Sequence, residues 1–553
     1  MGNHPDTGLA TRRSSNYLFA RAWAEGRSYR TPAPFVRALK SHPLVSQGSL
    51  SRLLQTAAEA WNRLDYQRSI DTLERAARLD PANAAIHLEL GRAHGMRYDY
   101  AAAEKCFEKA VRVAPQKAEI LAMAGVHCRN FNRYEMAKNY FERAIREPKA
   151  STDTFVKLAE LYERFHFLKE AGALVDRALE TDPGCALALL ARARLYRSTG
   201  NLEEAERLGR LLVSNKDPSA WSTCIRGWYE LGAILDRAGR YDEAMAAFLE
   251  AKALIRPNAG EFLAGQRTAH ERLKEAEANI SADVLRRWHE SSAALETPRR
   301  LALLGGHPRS GTTLLEQVLD AHPDIISAEE TSVFFETYLS LKRGLPQDAL
   351  MLTVLDSASP PTLKVARDGY FSAMTNFLGA DIGGRLLIDK NPSLTGLVPG
   401  LIRVFPEAKF LIALRDPRDV CLSCFMQPLP LNQVSAIFLS LEGAVEEYGS
   451  LMGVWRTMAA RMPNPFLEVR YEDVVQDLES LSRRVLDFFG LPWDARVLRF
   501  DEHARQKLVR SPTYADVAKP VFKGAVGRWR HYQKYLEPWV GKLAPFIDAF
   551  GYA

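Results

Sequence analysis

At 553 residues the chain is too long for one small domain, and its 47% hydrophobic and 25% charged content is ordinary globular material able to bury large cores. The 73 basic residues against 67 acidic ones leave a formal charge of +6, too mild to imply nucleic acid but comfortable for an anionic small molecule. Six cysteines are too few for a disulfide framework, and no long uncharged apolar run suggests a membrane span.

Residues 1–48 are rich in Arg, Ser and Pro, lack sustained periodicity and read as a partly disordered lead-in. They contain no apolar h-region, and Asp6 stands where N-myristoylation wants Ser or Thr, so a soluble, cytoplasmic protein is expected.

A repeat begins near Ser49. Leu90, Gly91, Tyr98, Ala103, Phe107, Ala110 and Pro115 form one set, and Gly125, Ala137, Phe141 and Ala144 return 34 residues later. Ala159, Ala171, Val175, Ala178 and Pro183 make a third set, and Gly232, Ala244, Phe248 and Ala251 a later one. Small residues at the eighth and twentieth positions let two helices cross closely, and the large residue at the twenty-fourth fills the gap towards the next unit. The period resembles the tetratricopeptide repeat, with about six units over 49–257, the fifth (around Ala193 and Ala205) degenerate. Such a solenoid can receive a peptide on its concave face, and a structural or dimerising role is an equal alternative. Cys106, Cys128, Cys185 and Cys224 fall in this helical pattern and read as buried thiols.

Residues 258–300 read as a charged helical connector stopped by Pro298. From 301 to 553 short apolar runs alternate with helices: Leu301–Leu304, Leu386–Ile388, Phe410–Leu414 and Phe466–Val469 are the expected strands of a parallel α/β sheet. The overall expectation is α + α/β, a helical solenoid followed by a P-loop-like domain.

Each strand leads into polar residues. Leu301–Leu304 runs into Gly305-Gly306-His307-Pro308-Arg309-Ser310-Gly311 and a helix from Thr312. Strand, glycine turn and helix start make an anion cradle, with hydroxyls from Ser310, Thr312 and Thr313 and a fixed charge from Arg309. From Gly306 the spacing is that of a nucleoside-triphosphate loop, but Thr312 replaces the lysine that reaches outer phosphates, so a single terminal phosphate fits better. Glu329-Glu330 is either a solvated helix start or the source of a general base. Lys390, in Asp389-Lys390-Asn391-Pro392, ends a strand where an anion would sit. Arg415 leaves the next strand, and Ser423 follows two turns into the next helix, so both could reach a second phosphate. Cys421 and Cys424 form a C-x-x-C, either a redox pair or, more simply, two small residues on one helix face; no second C-x-x-C argues for zinc.

Pro308-Arg309-Ser310-Gly311-Thr312-Thr313, Asp320-Ala321-His322-Pro323-Asp324 and Glu329-Glu330-Thr331, taken in order with Arg415 and Ser423, resemble the sulfotransferase family, most nearly the tyrosylprotein sulfotransferases. The resemblance implies 3′-phosphoadenylyl sulfate (PAPS) as cofactor and PAP as product, with no metal. It implies that Arg309, Ser310, Gly311, Thr312 and Thr313 hold the 5′ phosphate and that Arg415 and Ser423 hold the 3′ phosphate. Tyr471 is similar to a family tyrosine near the nucleotide. Thr513 and Lys519 resemble a late loop that closes over the cofactor, and Arg528 and Trp529 belong to that closure or pack the terminal helix. Arg309 and Lys390 would stabilise charge on the leaving oxygen and Glu330 would take the acceptor's proton. The acceptor would carry a hydroxyl, on a peptide tyrosine, a sugar or a small molecule, with the repeats recruiting it or a partner. The alternative is a repeat scaffold whose P-loop-like domain is inactive or hydrolyses nucleoside triphosphates.

Overall fold

The computed structural model describes residues 47–63, 65–214, 221–295, 298–506 and 523–552. The 34-residue register becomes six helix pairs: α1 (Gln47–Asn62) with α2 (Tyr66–Leu79), α3 (Ala84–Met96) with α4 (Tyr100–Val113), α5 (Lys117–Asn130) with α6 (Tyr134–Ala144), α7 (Thr152–Arg164) with α8 (Leu168–Thr181), α9 (Ala186–Thr199) with α10 (Leu202–Ser214), and α11 (Trp221–Arg237) with α12 (Tyr241–Ile255). A Cβ on Gly91 would lie 2.5 Å from Phe107, one on Gly125 2.8 Å from Phe141, and one on Gly232 2.6 Å from Phe248. The glycine at position eight is thus the seat for its own repeat's aromatic ring, which Phe107 extends by stacking at 5.9 Å on His127 of the next repeat. In the fourth repeat Ala159 faces the smaller Val175 position. In the fifth, Gly209 stands where the ring would be, and Leu231 of the sixth repeat comes within 3.3 Å of its missing Cβ. That substitution accounts for the degenerate fifth unit. Among the cysteines here Cys128 is buried, whereas Cys106, Cys185 and Cys224 are only half-buried, because they sit off the glycine–aromatic seam.

The segment read as a connector forms α13 (Gly260–Asn279) and α14 (Ala282–Glu290). It does not merely link: Ala276, Ile280, Leu285 and Trp288 join the same core as strand residues Leu301 and Leu303. The sheet follows, with β1 (Leu301–Gly306), α15 (Thr312–Asp320), β2 (Ile325–Glu329), α16 (Val333–Leu341), α17 (Pro360–Leu378), β3 (Leu386–Lys390), β4 (Lys409–Leu414), α18 (Pro417–Met426), α19 (Leu441–Ala459), β5 (Phe466–Arg470), α20 (Leu478–Phe489) and α21 (Gln533–Ala549). All five strands are parallel in the order β2-β3-β1-β4-β5. The central strands are covered on both faces, which is why they read as unbroken apolar runs instead of alternating ones. Leu301 and Leu303 face α13, α14, α16 and α17; Ala302 and Leu304 face α15 and α20. No helix among the described residues is long and apolar enough to cross a membrane.

The last repeat shares its interior with the sheet domain. Ile225, Tyr229, Met245, Phe248 and Ile255 form one apolar cluster with Leu422, Phe425 and Met426 of α18 and with Tyr532 and Leu536. Tyr532 Oη donates to Asp236 at 2.6 Å, Lys534 pairs with Asp242 at 2.8 Å, and Lys252 Nζ donates to the Phe438 carbonyl at 2.8 Å. A second meeting place lies near the other end of the array. Arg97 pairs with Glu336, Tyr98 Oη lies 3.0 Å from Ser332 Oγ, and Arg133 donates to the Phe377 carbonyl at 2.7 Å.

Candidate functional site

The site is assembled at the carboxyl ends of β1 to β4, where a parallel sheet leaves a crevice between its crossovers. Gly306 ends β1 at φ +122°, and a Cβ there would strike the Ala413 carbonyl at 2.3 Å, so only glycine lets the loop leave this close to β4. Thr395 clamps the same residue, accepting from Gly306 N at 2.8 Å and donating to its carbonyl at 2.9 Å. Gly311, at φ +94°, is the N-cap of α15, and the missing side chain makes room for the Tyr471 ring, 2.5 Å from where a Cβ would be. Thr312 and Thr313 are buried in the first turn of the helix, where N–H groups lack intrahelical partners. The Ser310 hydroxyl donates within the loop, to the His307 carbonyl at 2.7 Å.

Arg309 adopts φ +73°. Its Nε donates to Ser423 Oγ at 3.1 Å, and its carbonyl accepts from Arg415 Nη1 at 3.2 Å. Arg415 also donates to the Ala525 carbonyl and lies over the Tyr471 ring, 5.2 Å from its centroid. The two arginines, Ser423 and Tyr471 are therefore gathered at the carboxyl ends of β1 and β4. Thr513 and Lys519 lie outside the described residues. Arg528 pairs with Asp236 of the last repeat, and Trp529 packs under Arg418, 4.0 Å from its guanidinium. The backbone N–H groups of Gly527 and Trp529 donate to Asp419, at 2.7 and 2.8 Å, which ties this segment to α18.

The Glu329-Glu330 pair is not a solvated helix start. It closes β2, a strand that the run Asp324-Ile325-Ile326-Ser327 does not advertise because only two strong apolar residues stand together. Glu329 is the register partner of Lys390 across β2 and β3. Lys390 is fully buried, and its Nζ lies 3.1 Å from Glu329, 2.8 Å from Glu330 and 3.6 Å from Glu316. Glu316 was not legible as a site residue. It is a charged residue within Leu314-Leu315-Glu316-Gln317-Val318-Leu319, fully buried, accepting from Ser327 Oγ at 2.7 Å. Its one signal is that ionic placement inside an apolar helix face.

Burial disfavours the Lys390 cation, but Glu329, Glu330 and Glu316 outweigh it and hold the ammonium above the ordinary lysine value. Burial pushes the Glu330 carboxyl up, opposed by Lys390 and reinforced by Glu329, with Arg309 close enough to pull it down. Glu330 is the carboxylate of the three that opens outward, its side chain 26% exposed against 0% for Glu316 and 5% for Glu329. Its backbone is held at φ +52°, with its N–H donating to the Lys390 carbonyl at 2.7 Å. Behind Lys390, burial pushes Asp389 up to about 7, partly offset by the Tyr370 hydroxyl that donates to it at 2.9 Å. Cys421 and Cys424 remain free thiols, buried within α18, and burial pushes both pKa values up. That is the behaviour of packing residues, not of a redox pair. No group of three His, Cys, Asp or Glu side chains suited to a metal occurs among the described residues.

Residues 302–495 match the sulfotransferase family profile. Tetratricopeptide repeat profiles match 54–95, 118–149, 156–220 and 225–258. An uncharacterised protein of Aquifex aeolicus is 24% identical over 385 residues, 67% of this chain, which covers 47% of that protein's length. The protein-tyrosine sulfotransferase 1 of Danio rerio is 29% identical over 265 residues, 46% of this chain and 72% of its own. A sulfotransferase domain of the Synechococcus PCC 7002 olefin synthase aligns over 42% of this chain and 88% of its own, at 24% identity and a TM-score of 0.30. The α/β half of the chain, with its arginine-bearing loop and buried lysine–carboxylate cluster, carries the sulfotransferase family profile over 302–495, and the helical array before it carries tetratricopeptide repeat profiles.

Proposed function

We propose that this protein transfers the sulfuryl group of PAPS to an acceptor hydroxyl, a protein tyrosine being the acceptor suggested by its relatives, and that its repeats recruit the acceptor or a partner protein. The observation that carries the reading is the meeting of two arginines, Arg309 and Arg415, at one loop beside the Lys390–Glu330 pair. A nucleotide with two separated phosphates needs two fixed positive forks within one crevice, and a glycine-lined loop at a helix N-terminus suits the phosphate that lies deeper. Gly306 and Gly311 let that loop turn tightly against the Ala413 carbonyl and the Tyr471 ring.

In this reading Arg309, Ser310, Gly311, Thr312 and Thr313 bind the 5′ phosphate, while Arg415 and Ser423 bind the 3′ phosphate and Tyr471 flanks the nucleotide. Thr513 and Lys519 remain candidates for closure over it. PAPS supplies the electrophilic sulfur and a leaving group that gains charge as the bond breaks. Arg309 and Lys390 offer positive charge to that leaving oxygen, which is worth most where water is excluded. Glu330, raised by burial and facing outward, takes the acceptor's proton at its carboxylate. Its neighbour Lys390 steadies the ionised form before the transfer. Glu316 and Glu329 keep the lysine charged and in place.

The test is calorimetric binding of PAP to the full chain, with mass detection of sulfated product from PAPS and a panel of tyrosyl peptide, sugar and phenol acceptors. Arg309→Ala and Arg415→Ala should each weaken PAP by about 10- to 100-fold, as expected for the loss of charged hydrogen bonds. Unchanged PAP affinity in both variants overturns the nucleotide assignment. Tight PAP binding without transfer to any acceptor favours the inactive scaffold instead.

A further inference from the structure

We infer that the second repeat is part of the catalytic apparatus: Tyr98 and Arg97 are positioning residues that hold the segment directly after Glu330. The inference rests on reading Glu330 as the proton acceptor.

The turn between the two helices of a repeat has a residue in the left-handed region at Tyr98, Asn132, His166, Gly200 and Gly239, with φ from +59° to +88°. The first four lie 34 residues apart, so they are one structural position. Glycine occupies it without strain, and asparagine with little. A tyrosine there is a poor local choice, since a bulky side chain is a genuine outlier at positive φ. Local rules are broken where another demand wins, and the structure contains that demand.

Tyr98 reaches across to the sheet domain. Its ring meets Phe377 of α17 edge-on, with centroids 5.3 Å apart, and it packs against the core that contains Ala328 and Phe334. Its hydroxyl lies 3.0 Å from Ser332 Oγ. Ser332 gives its own hydrogen to Glu336 at 2.9 Å, so the tyrosine is the donor in this pair. Arg97 closes the ring by pairing with Glu336. The next repeat adds Arg133, which donates to the Phe377 carbonyl at 2.7 Å.

Ser332 is two residues from Glu330. Between them Thr331 is pinned by Asn391, whose amide donates to its carbonyl at 2.9 Å, and Thr331 Oγ1 accepts from Val333 N at 3.2 Å. Glu330 itself is held at positive φ, an arrangement that survives only where its surroundings over-determine it. One side of that restraint is the β3 turn. The other side is the repeat array. An occupant of the array that altered its curvature would act on the base through this contact.

The experiment compares the full chain with Tyr98→Gly, Tyr98→Phe and the control His166→Gly. Hydrogen exchange of 329–336, calorimetric PAP affinity, and kcat and KM for PAPS with a tyrosyl peptide are measured. Tyr98→Gly relieves the turn and removes the contact, so it should fold. It should speed exchange in 329–336 by about tenfold and lower kcat by about tenfold, with PAP affinity and KM for PAPS within about twofold. Tyr98→Phe should show the same changes in smaller degree, and His166→Gly none. Unaltered exchange in Tyr98→Gly overturns the docking. Faster exchange with unaltered kcat overturns the positioning role, as does a fall in PAP affinity matching the fall in kcat. Should the unaltered protein transfer nothing to any acceptor, the proposed function fails, while the exchange comparison still decides whether the repeat holds the segment.

Discussion

Replacing Lys390 by methionine removes the buried cation that pairs with Glu316, Glu329 and Glu330, at 3.6, 3.1 and 2.8 Å. Methionine is close to lysine in length, so the change is electrostatic. Breaking a buried ion pair from one side costs ~3–5 kcal/mol, because the remaining charge has no compensation. The fully buried Glu316 would then fold as the neutral acid. Holding its proton at pH 7 against an unfolded value of ~4.3 costs about 3.7 kcal/mol at ~1.36 kcal/mol per unit, but only about 1 kcal/mol at pH 5. The sign follows from linkage: a carboxyl whose folded pKa is raised contributes stability that is complete below the unfolded value and is lost as pH rises through the folded one. Urea unfolding of both proteins in parallel at the two pH values cancels the pH dependence of the rest of the chain. The expected destabilisation grows from ~1 to ~4 kcal/mol between them. A difference that is the same at both values, or below ~1 kcal/mol at pH 7, refutes the charge cluster as the reason for the lysine's burial.

Three further outcomes follow from the same physical terms. In Glu330→Gln the acid limb of the kcat profile, which should lie above the ordinary carboxyl range because burial raises Glu330, should disappear along with most of the turnover, while PAP affinity persists. Gly125→Ala should cost ~1–3 kcal/mol by driving its Cβ towards Phe141, and the double variant with Phe141→Val, which copies the Ala159–Val175 pairing, should be more stable than the sum of the single changes by more than ~1 kcal/mol in thermal unfolding. Burial lowers Lys252 to about 7, so this group makes stability rise with pH between that value and its unfolded one; Lys252→Met should flatten that rise in urea midpoints taken at about pH 7 and pH 9.

The repeats were readable because their packing recurs: each Gly–Phe or Ala–Val pair repeats at a fixed separation, so a contact in space is a spacing in sequence. β1, β3 and β4 were readable because a parallel sheet buried on both faces leaves uninterrupted apolar runs, whereas β5 is an edge strand with Phe466 exposed and Glu468 breaking its run. β2 escaped because its outer end, Ser327-Ala328-Glu329, carries two polar residues, and the burial of Glu329 depends on Lys390, 61 residues away. Glu316 escaped for the same reason, since its partner comes from another strand. The helices over 260–290 looked like a linker from their charge, yet one face of each, with Ala276, Leu285 and Trp288, is core. What local pattern cannot announce is a polar group made tolerable by a distant one.

The two footings of the helical array have a consequence for its length. One footing is the turn at Arg97 and Tyr98, on Ser332 and Glu336; the other is the last hairpin, fused to α18. Between them the units from α5 to α10 form a span whose ends are both fixed on the same body. Inserting or deleting one 34-residue unit in that span would shift the tyrosine turn by a whole step along the solenoid and away from its landing. Unit number is therefore quantised here, unlike in a free solenoid that grows or shrinks at little cost. Variation in this protein should be tolerated ahead of the second hairpin and resisted behind it.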